Sequence, residues 1–168
     1  MISIRDAAAT DVPAILDIYN EAVATSTATF DLEPQTLEAR MEWFSHYGER
    51  YPLIVAELDG QVAGYCSLSQ FRTKPAYNAT VELSIYLGEK YHGQGIGTQL
   101  MNEIIKRSKA MGFHTIVACI TVGNDGSVRF HERFGFELVA TFKEVGYKFN
   151  RWLDVYFFQL MLDENPGE

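Results

Sequence analysis

Between an apolar stretch and a long amphipathic one, the chain reads Gly93-Gln94-Gly95-Ile96-Gly97. Three glycines in five residues interrupt any regular element, so a strand must end there and a helix begin. Residues 81–87 before the break read as the strand. The helix after it runs to about Met111, with Leu100, Met101, Ile104 and Ile105 as its apolar stripe. Residues 115–121 form a continuous apolar run, the pattern of a strand buried on both faces. Strand, glycine turn, helix and buried strand in succession predict α/β or α+β architecture around a central mixed sheet.

The flanking segments fit that frame. Ile2 and Ile4 suggest a short first strand. Thr10 or Asp11 caps a helix with Pro13 in its first turn, and Ile15, Ile18, Tyr19, Ala22 and Val23 recur at helical spacing. A second helix is expected over 36–47, with Leu37, Met41 and Phe44 along one side. Residues 53–58 and 62–69 flank Asp59-Gly60 and read as a hairpin. A loop covers 71–78, a helix 127–134, and closing strands 136–141 and 153–162. No linker or repeat divides the sequence, so 1–162 is expected to be a single domain and 163–168 a polar, frayed tail.

The net charge of -8 argues against a nucleic-acid partner, which needs clustered Lys and Arg. Cys66 and Cys119 both lie in apolar runs and read as two buried thiols in a reducing compartment. No secretory leader and no apolar run of membrane-spanning length is visible, so a cytoplasmic protein with no membrane partner is expected. No metal is expected.

A glycine turn leading into a helix suits a phosphate, because main-chain N–H groups converge there and the helix end adds roughly half a positive charge. The spacing separates the candidates. A Walker loop needs Lys before its Ser or Thr, and here Thr98 follows Gly97 directly. A dinucleotide fingerprint needs G-x-G-x-x-G and a later acidic residue, and neither is present.

The segment His92-Gly93-Gln94-Gly95-Ile96-Gly97 resembles the pyrophosphate loop of the GNAT acetyltransferases, Q/R-x-x-G-x-G/A, with His92 in the first position. Asn124, Ser127, His131 and Gly135-Phe136 resemble the family's second motif, with His131 where Tyr is usual. Ile18-Tyr19-Asn20, Pro75-Ala76-Tyr77-Asn78, the run from Thr80 to Tyr86 and Gly146-Tyr147-Lys148-Phe149 look like the subgroup acting on phosphinothricin and methionine sulfoximine.

The resemblance implies a GNAT fold, with a mostly antiparallel mixed sheet flanked by helices and splayed between its two central strands. It also implies acetyl-CoA as co-substrate, a small-molecule amine as acceptor, a role in antibiotic or herbicide resistance, and a homodimer. Glu82 is the candidate base and His131 the candidate acid. The coenzyme would meet Ile85, Tyr86 and Leu87 on the strand, His92, Gly93, Gln94, Gly95, Ile96, Gly97 and Thr98 at the turn, and Asn124 and Ser127 beyond it. Phe71, Arg72 and Lys74, with Glu82, would meet the acceptor, Arg72 holding a carboxylate or phosphinate. Acetylation of protein N-termini or polyamines, and a non-catalytic acyl-CoA-binding module, are the competing readings.

Overall fold

The computed structural model describes residues 1–162, and the expected tail lies outside them. The chain divides into two compact units, Met1–Leu68 with Ser84–Ile104, and Ser69–Leu83 with the residues from Ile105 on. The pairing order of the seven strands is β1-β2-β3-β4-β5-β7-β6, and the mixed α/β class expected from the sequence is what forms.

The first unit contains β1 (Ile2–Asp6), α1 (Val12–Thr25), α2 (Leu37–Phe44), β2 (Leu53–Leu58) and β3 (Gln61–Gln70). It also takes in residues 84–87 of β4 (Thr80–Leu87) and the start of α3 (Ile96–Ala110). β1, β2 and β3 pair antiparallel, from Ile2↔Leu58 and Leu53↔Ser67. The β2–β3 turn is Asp59-Gly60, both with left-handed φ of +52° and +79°, as a two-residue hairpin turn requires.

Ile15 and Ile18 of α1 pack with Leu53, Val55 and Tyr65 of the sheet, and Trp43, Phe44 and Tyr47 close the cluster. Burial of such side chains contributes roughly 1.5–3 kcal/mol each. Gly64 of β3 has no alternative: a Cβ there would stand 2.4 Å from Leu87 Cδ2 and 2.9 Å from the Tyr86 carbonyl oxygen.

The helix starts differ from one another. Thr36 caps α2, its hydroxyl accepting from the Ala39 N–H at 3.1 Å. α2 is shorter than expected because His46 and Tyr47 bond back three residues, to Trp43 and Phe44, and so leave the helix in a tighter turn. Asp11 precedes α1 without capping it. Its carboxylate accepts instead from the Ala8 N–H at 2.8 Å and from both Arg5 Nη groups, at 2.7 and 2.9 Å. Arg5 reaches on to Glu57 of β2 at 2.9 Å. The Arg5 bonds hold Asp11 below its ordinary carboxylate value despite its burial.

The second unit holds residues 80–83 of β4, then β5 (Thr115–Thr121), α4 (Asp125–Arg133), β6 (Glu137–Lys148) and β7 (Arg151–Met161). β4 and β5 pair in parallel over three residue pairs only, Thr80↔Thr115 to Glu82↔Val117. β5 pairs antiparallel with β7 along its whole length. β6 runs seven residues beyond the expected end at 141, and its ladder with β7 is interrupted near Ala140 and between Phe142 and Gly146. There Glu144 takes φ +52°, its N–H donating to Asp154 Oδ1 at 2.7 Å. β5 corrects one expectation: Cys119 is exposed, and only Cys66 is a buried thiol.

Candidate active site

The glycine turn sets the head of α3. Gly93 and Gly95 have φ of +76° and +80°, values that cost an ordinary L residue about 1–2 kcal/mol. Ile96 is buried and anchors the first turn. The first i→i−4 bond runs from Gln99 N to the Gly95 carbonyl at 3.2 Å. The N–H groups of Ile96, Gly97 and Thr98 therefore precede it and have no intrahelical acceptor. With the helix dipole they make an anion cradle that needs no lysine. Gln94 turns its side chain back, Nε2 donating to the Lys90 carbonyl at 3.1 Å, and His92 is exposed.

Strand alternation puts Glu82, Ser84 and Tyr86 on one face of β4 and Leu83, Ile85 and Leu87 on the other. The Tyr86 side chain is not available to a coenzyme. Its ring stacks on Tyr65 at 5.4 Å and its hydroxyl donates to the Ala28 carbonyl at 3.2 Å. That leaves only its main chain for the role expected of it.

Glu82 has a neighbour that the sequence did not reveal. Cys119 Sγ lies 3.4 Å from Glu82 Oε1, and the Ser69 hydroxyl donates to the Glu82 carbonyl oxygen at 3.5 Å. Although Cys119 keeps contact with solvent, partial desolvation of its thiol, and then the Glu82 carboxylate, push it up to about 12. It stays protonated at neutral pH and acts as a donor to the carboxylate, not as a thiolate nucleophile. The contact follows from the parallel register of Glu82 on Val117, a pairing with no local sequence signal.

At the start of α4, Asn124 accepts the Ser127 N–H through Oδ1 at 3.4 Å and so serves as the N-cap. His131 is 4% exposed and packs edge-to-face against Phe130 and Phe136. Its Nδ1 lies 2.8 Å from the Ser127 carbonyl oxygen. A carbonyl only accepts, so Nδ1 carries the hydrogen and Nε2 of the neutral ring is a lone pair. Burial lowers the imidazole below its ordinary value and favours that neutral form. This geometry weighs against the proton-donor role expected of His131 and favours a part in closing α4.

The 71–78 loop carries Arg72 stacked over the Phe71 ring at 4.9 Å, and Phe71 meets Tyr77 edge-on at 5.7 Å. Arg72 and Lys74 are exposed, and neither forms an ion pair among the described residues. A cavity of about 820 Å³ in the first unit lies along Asp17, Glu21, Gln61 and Tyr91, and none of the expected site residues lines it.

Comparison with known proteins gives the family. The model of the acetyltransferase (GNAT) domain matches residues 4–157. An L-methionine sulfoximine/L-methionine sulfone acetyltransferase of Pseudomonas aeruginosa is 43% identical over 96% of this chain and 95% of its own length. A phosphinothricin N-acetyltransferase of Streptomyces viridochromogenes is 38% identical, over 94% of this chain and 86% of its own. Among solved structures, the acetyltransferase yncA of Salmonella typhimurium with its cofactor acetyl-CoA superposes with a TM-score of 0.91. It is 36% identical, covering 99% of this chain and 96% of that one. The chain belongs to the GNAT acetyltransferase family. It is an acetyl-CoA-dependent N-acetyltransferase.

Proposed function

We propose that the acceptor is the amine of a small amino-acid-like molecule of the methionine sulfoximine, methionine sulfone or phosphinothricin type. The observation that carries this reading is the near full-length similarity to enzymes named for those acceptors, at 43% and 38% identity. In this reading the diphosphate of acetyl-CoA rests on the main-chain N–H groups of residues 93–98. Asn124 and Ser127 meet the pantetheine arm, and main-chain groups of residues 83–87 orient the thioester.

Glu82 takes the proton of the attacking amine, directly or through one water. The nitrogen bonds to the thioester carbon, the C–S bond then breaks, and the departing thiolate takes a proton from solvent, so that coenzyme A leaves as the thiol. A protonated Cys119 supports direct transfer over an acyl-cysteine route. Phe71, Arg72 and Lys74 supply the ring face and positive charge suited to the acceptor's anionic end. His131 holds α4.

Three further parts of the reading rest on composition and pattern. A cytoplasmic location fits a chain in which no described helix is long and apolar enough to cross a membrane. A homodimer fits the exposed apolar side chains of β6 and β7, among them Phe142, Tyr147 and Trp152. Action as one domain fits β4 and α3, each of which contributes residues to both units. An enzyme of this specificity would confer resistance to such amino-acid analogues.

The test is Glu82→Gln, assayed by thiol release with L-methionine sulfone and phosphinothricin as acceptors. Turnover should fall by about 10²–10⁴-fold, with acetyl-CoA affinity kept within about twofold. Undiminished turnover removes Glu82 as the base, and a wild-type protein that releases no thiol with either acceptor removes the acceptor class.

A further inference from the structure

Within the first unit, a second cavity of about 250 Å³ has a different character. Its lining includes Tyr19, Asp31, Arg40, Trp43, Tyr65 and Tyr86. Arg40 of α2 is 6% exposed, its Cζ 3.9 Å from the Tyr19 ring centre and 4.3 Å from that of Trp43. Among the described residues no carboxylate stands within ion-pair distance of this guanidinium, and Nε is buried without an acceptor.

The Tyr65 hydroxyl, on a residue 1% exposed, is a second buried group with no hydrogen-bond partner. Asp31 is the one carboxylate among the lining residues, and it accepts the Tyr19 hydroxyl instead of pairing with Arg40. Burial keeps the Tyr65 phenol protonated, so it remains a donor.

Two residues that line one small space each carry a buried donor without an acceptor, an unusual holding. Two ring faces return part of the desolvation of a guanidinium but far from all of it. Such a charge is compensated when an anion enters. The space would hold roughly eight waters at about 30 Å³ each, which suits a molecule of amino-acid size. One cation with Asp31 on the opposing side of the balance favours a monoanion over a phosphate dianion. A planar carboxylate matches the guanidinium fork.

We propose that this cavity is a carboxylate site for an amino-acid-sized monoanion, with Arg40 and the Tyr65 hydroxyl as its donors. Neither residue carries a local sequence signal for such a role. Arg40 looks like an exposed charge on an amphipathic helix, and Tyr65 like an ordinary strand aromatic. The carboxylate has two possible sources: the acceptor itself, in which case the inference rests on the acceptor reading above and Arg40 takes the place given there to Arg72 and Lys74, or a separate small acid.

The test is calorimetric binding to wild type, Arg40→Met and Tyr65→Phe, with L-methionine sulfone, its carboxamide and butyrate as probes. Binding is read without turnover, so a failed acetylation assay leaves this measurement intact. If the acceptor is the source, L-methionine sulfone should bind Arg40→Met about 10–100-fold more weakly and Tyr65→Phe several-fold more weakly, with the carboxamide unchanged. If a separate acid is the source, butyrate should show those losses while L-methionine sulfone does not. Both results support the site.

Equal binding of every probe by all three proteins overturns it, as does a wild type that binds neither carboxylate. Tyr65→Phe removes only a hydroxyl with no partner, so its melting midpoint should hold. A lowered midpoint in both variants with unchanged binding would mean that the two groups serve packing alone, and would also overturn the proposal.

Discussion

The β2–β3 and β6–β7 hairpins use the same two-residue connection and differ in almost everything else. Asp59-Gly60 joins strands whose side chains are mostly buried, and its second position is the residue that accepts positive φ without penalty. Phe149-Asn150 makes the corresponding turn at φ +53° and +59°, with Lys148 opposite Arg151, and its first position is held by an aromatic residue that resists that conformation. Its strands carry two register shifts and expose Leu138, Phe142, Val145, Tyr147 and Trp152. The first hairpin is stabilised by its own sequence and its own core. The second tolerates turn strain and an apolar surface of the kind that marks an interaction site, which agrees with the proposed homodimer.

Three changes would break or sharpen that contrast. The largest effect is expected from Trp152→Ser. If this face joins two copies, loss of its most exposed aromatic should raise the dimer dissociation constant about 30-fold, corresponding to about 2 kcal/mol. Sedimentation equilibrium would measure it, and an unchanged constant would leave the face without that partner. Next is Gly60→Val, which forces a β-branched residue to φ +79° and should cost about 1–2 kcal/mol in urea unfolding. A loss below about 0.5 kcal/mol would mean that the first hairpin does not depend on its glycine. The smallest effect belongs to the double change Phe149→Asn with Asn150→Gly. It supplies the residues this turn geometry favours and should add about 1 kcal/mol. Destabilisation instead would assign the Phe149 ring a packing role that outweighs the strain.

The same pair of hairpins explains what could be read in advance. Asp-Gly between apolar runs is a local signal, and the hairpin formed with the two-residue turn expected. The glycine turn and α3 were legible for the same reason, since a run of glycines before an apolar stripe needs no distant partner to interpret. Phe149-Asn150 carries no such mark, so the second half of β6 was missed. Cys119 misled because an apolar run was taken to mean burial, whereas exposure in β5 depends on which strands flank it.

The candidate site divides along similar lines. Residues 93–98 and Glu82 were singled out from motif and strand position. Cys119 beside Glu82, the Tyr86 ring turned into an aromatic stack, and the tautomer of His131 all depend on tertiary neighbours. Arg40 lay furthest from view, because an unpaired buried guanidinium is visible only once burial is known.

Gly64 has a consequence for how β4 responds to load. With the Tyr86 carbonyl and the Leu87 side chain seated in the space its missing side chain leaves, residues 86 and 87 have no slack toward β3. A molecule pressed against that stretch of main chain meets a stiff backing. Misfit is then absorbed by the visitor and not by the wall, and so discrimination at this edge falls on the shape of what arrives.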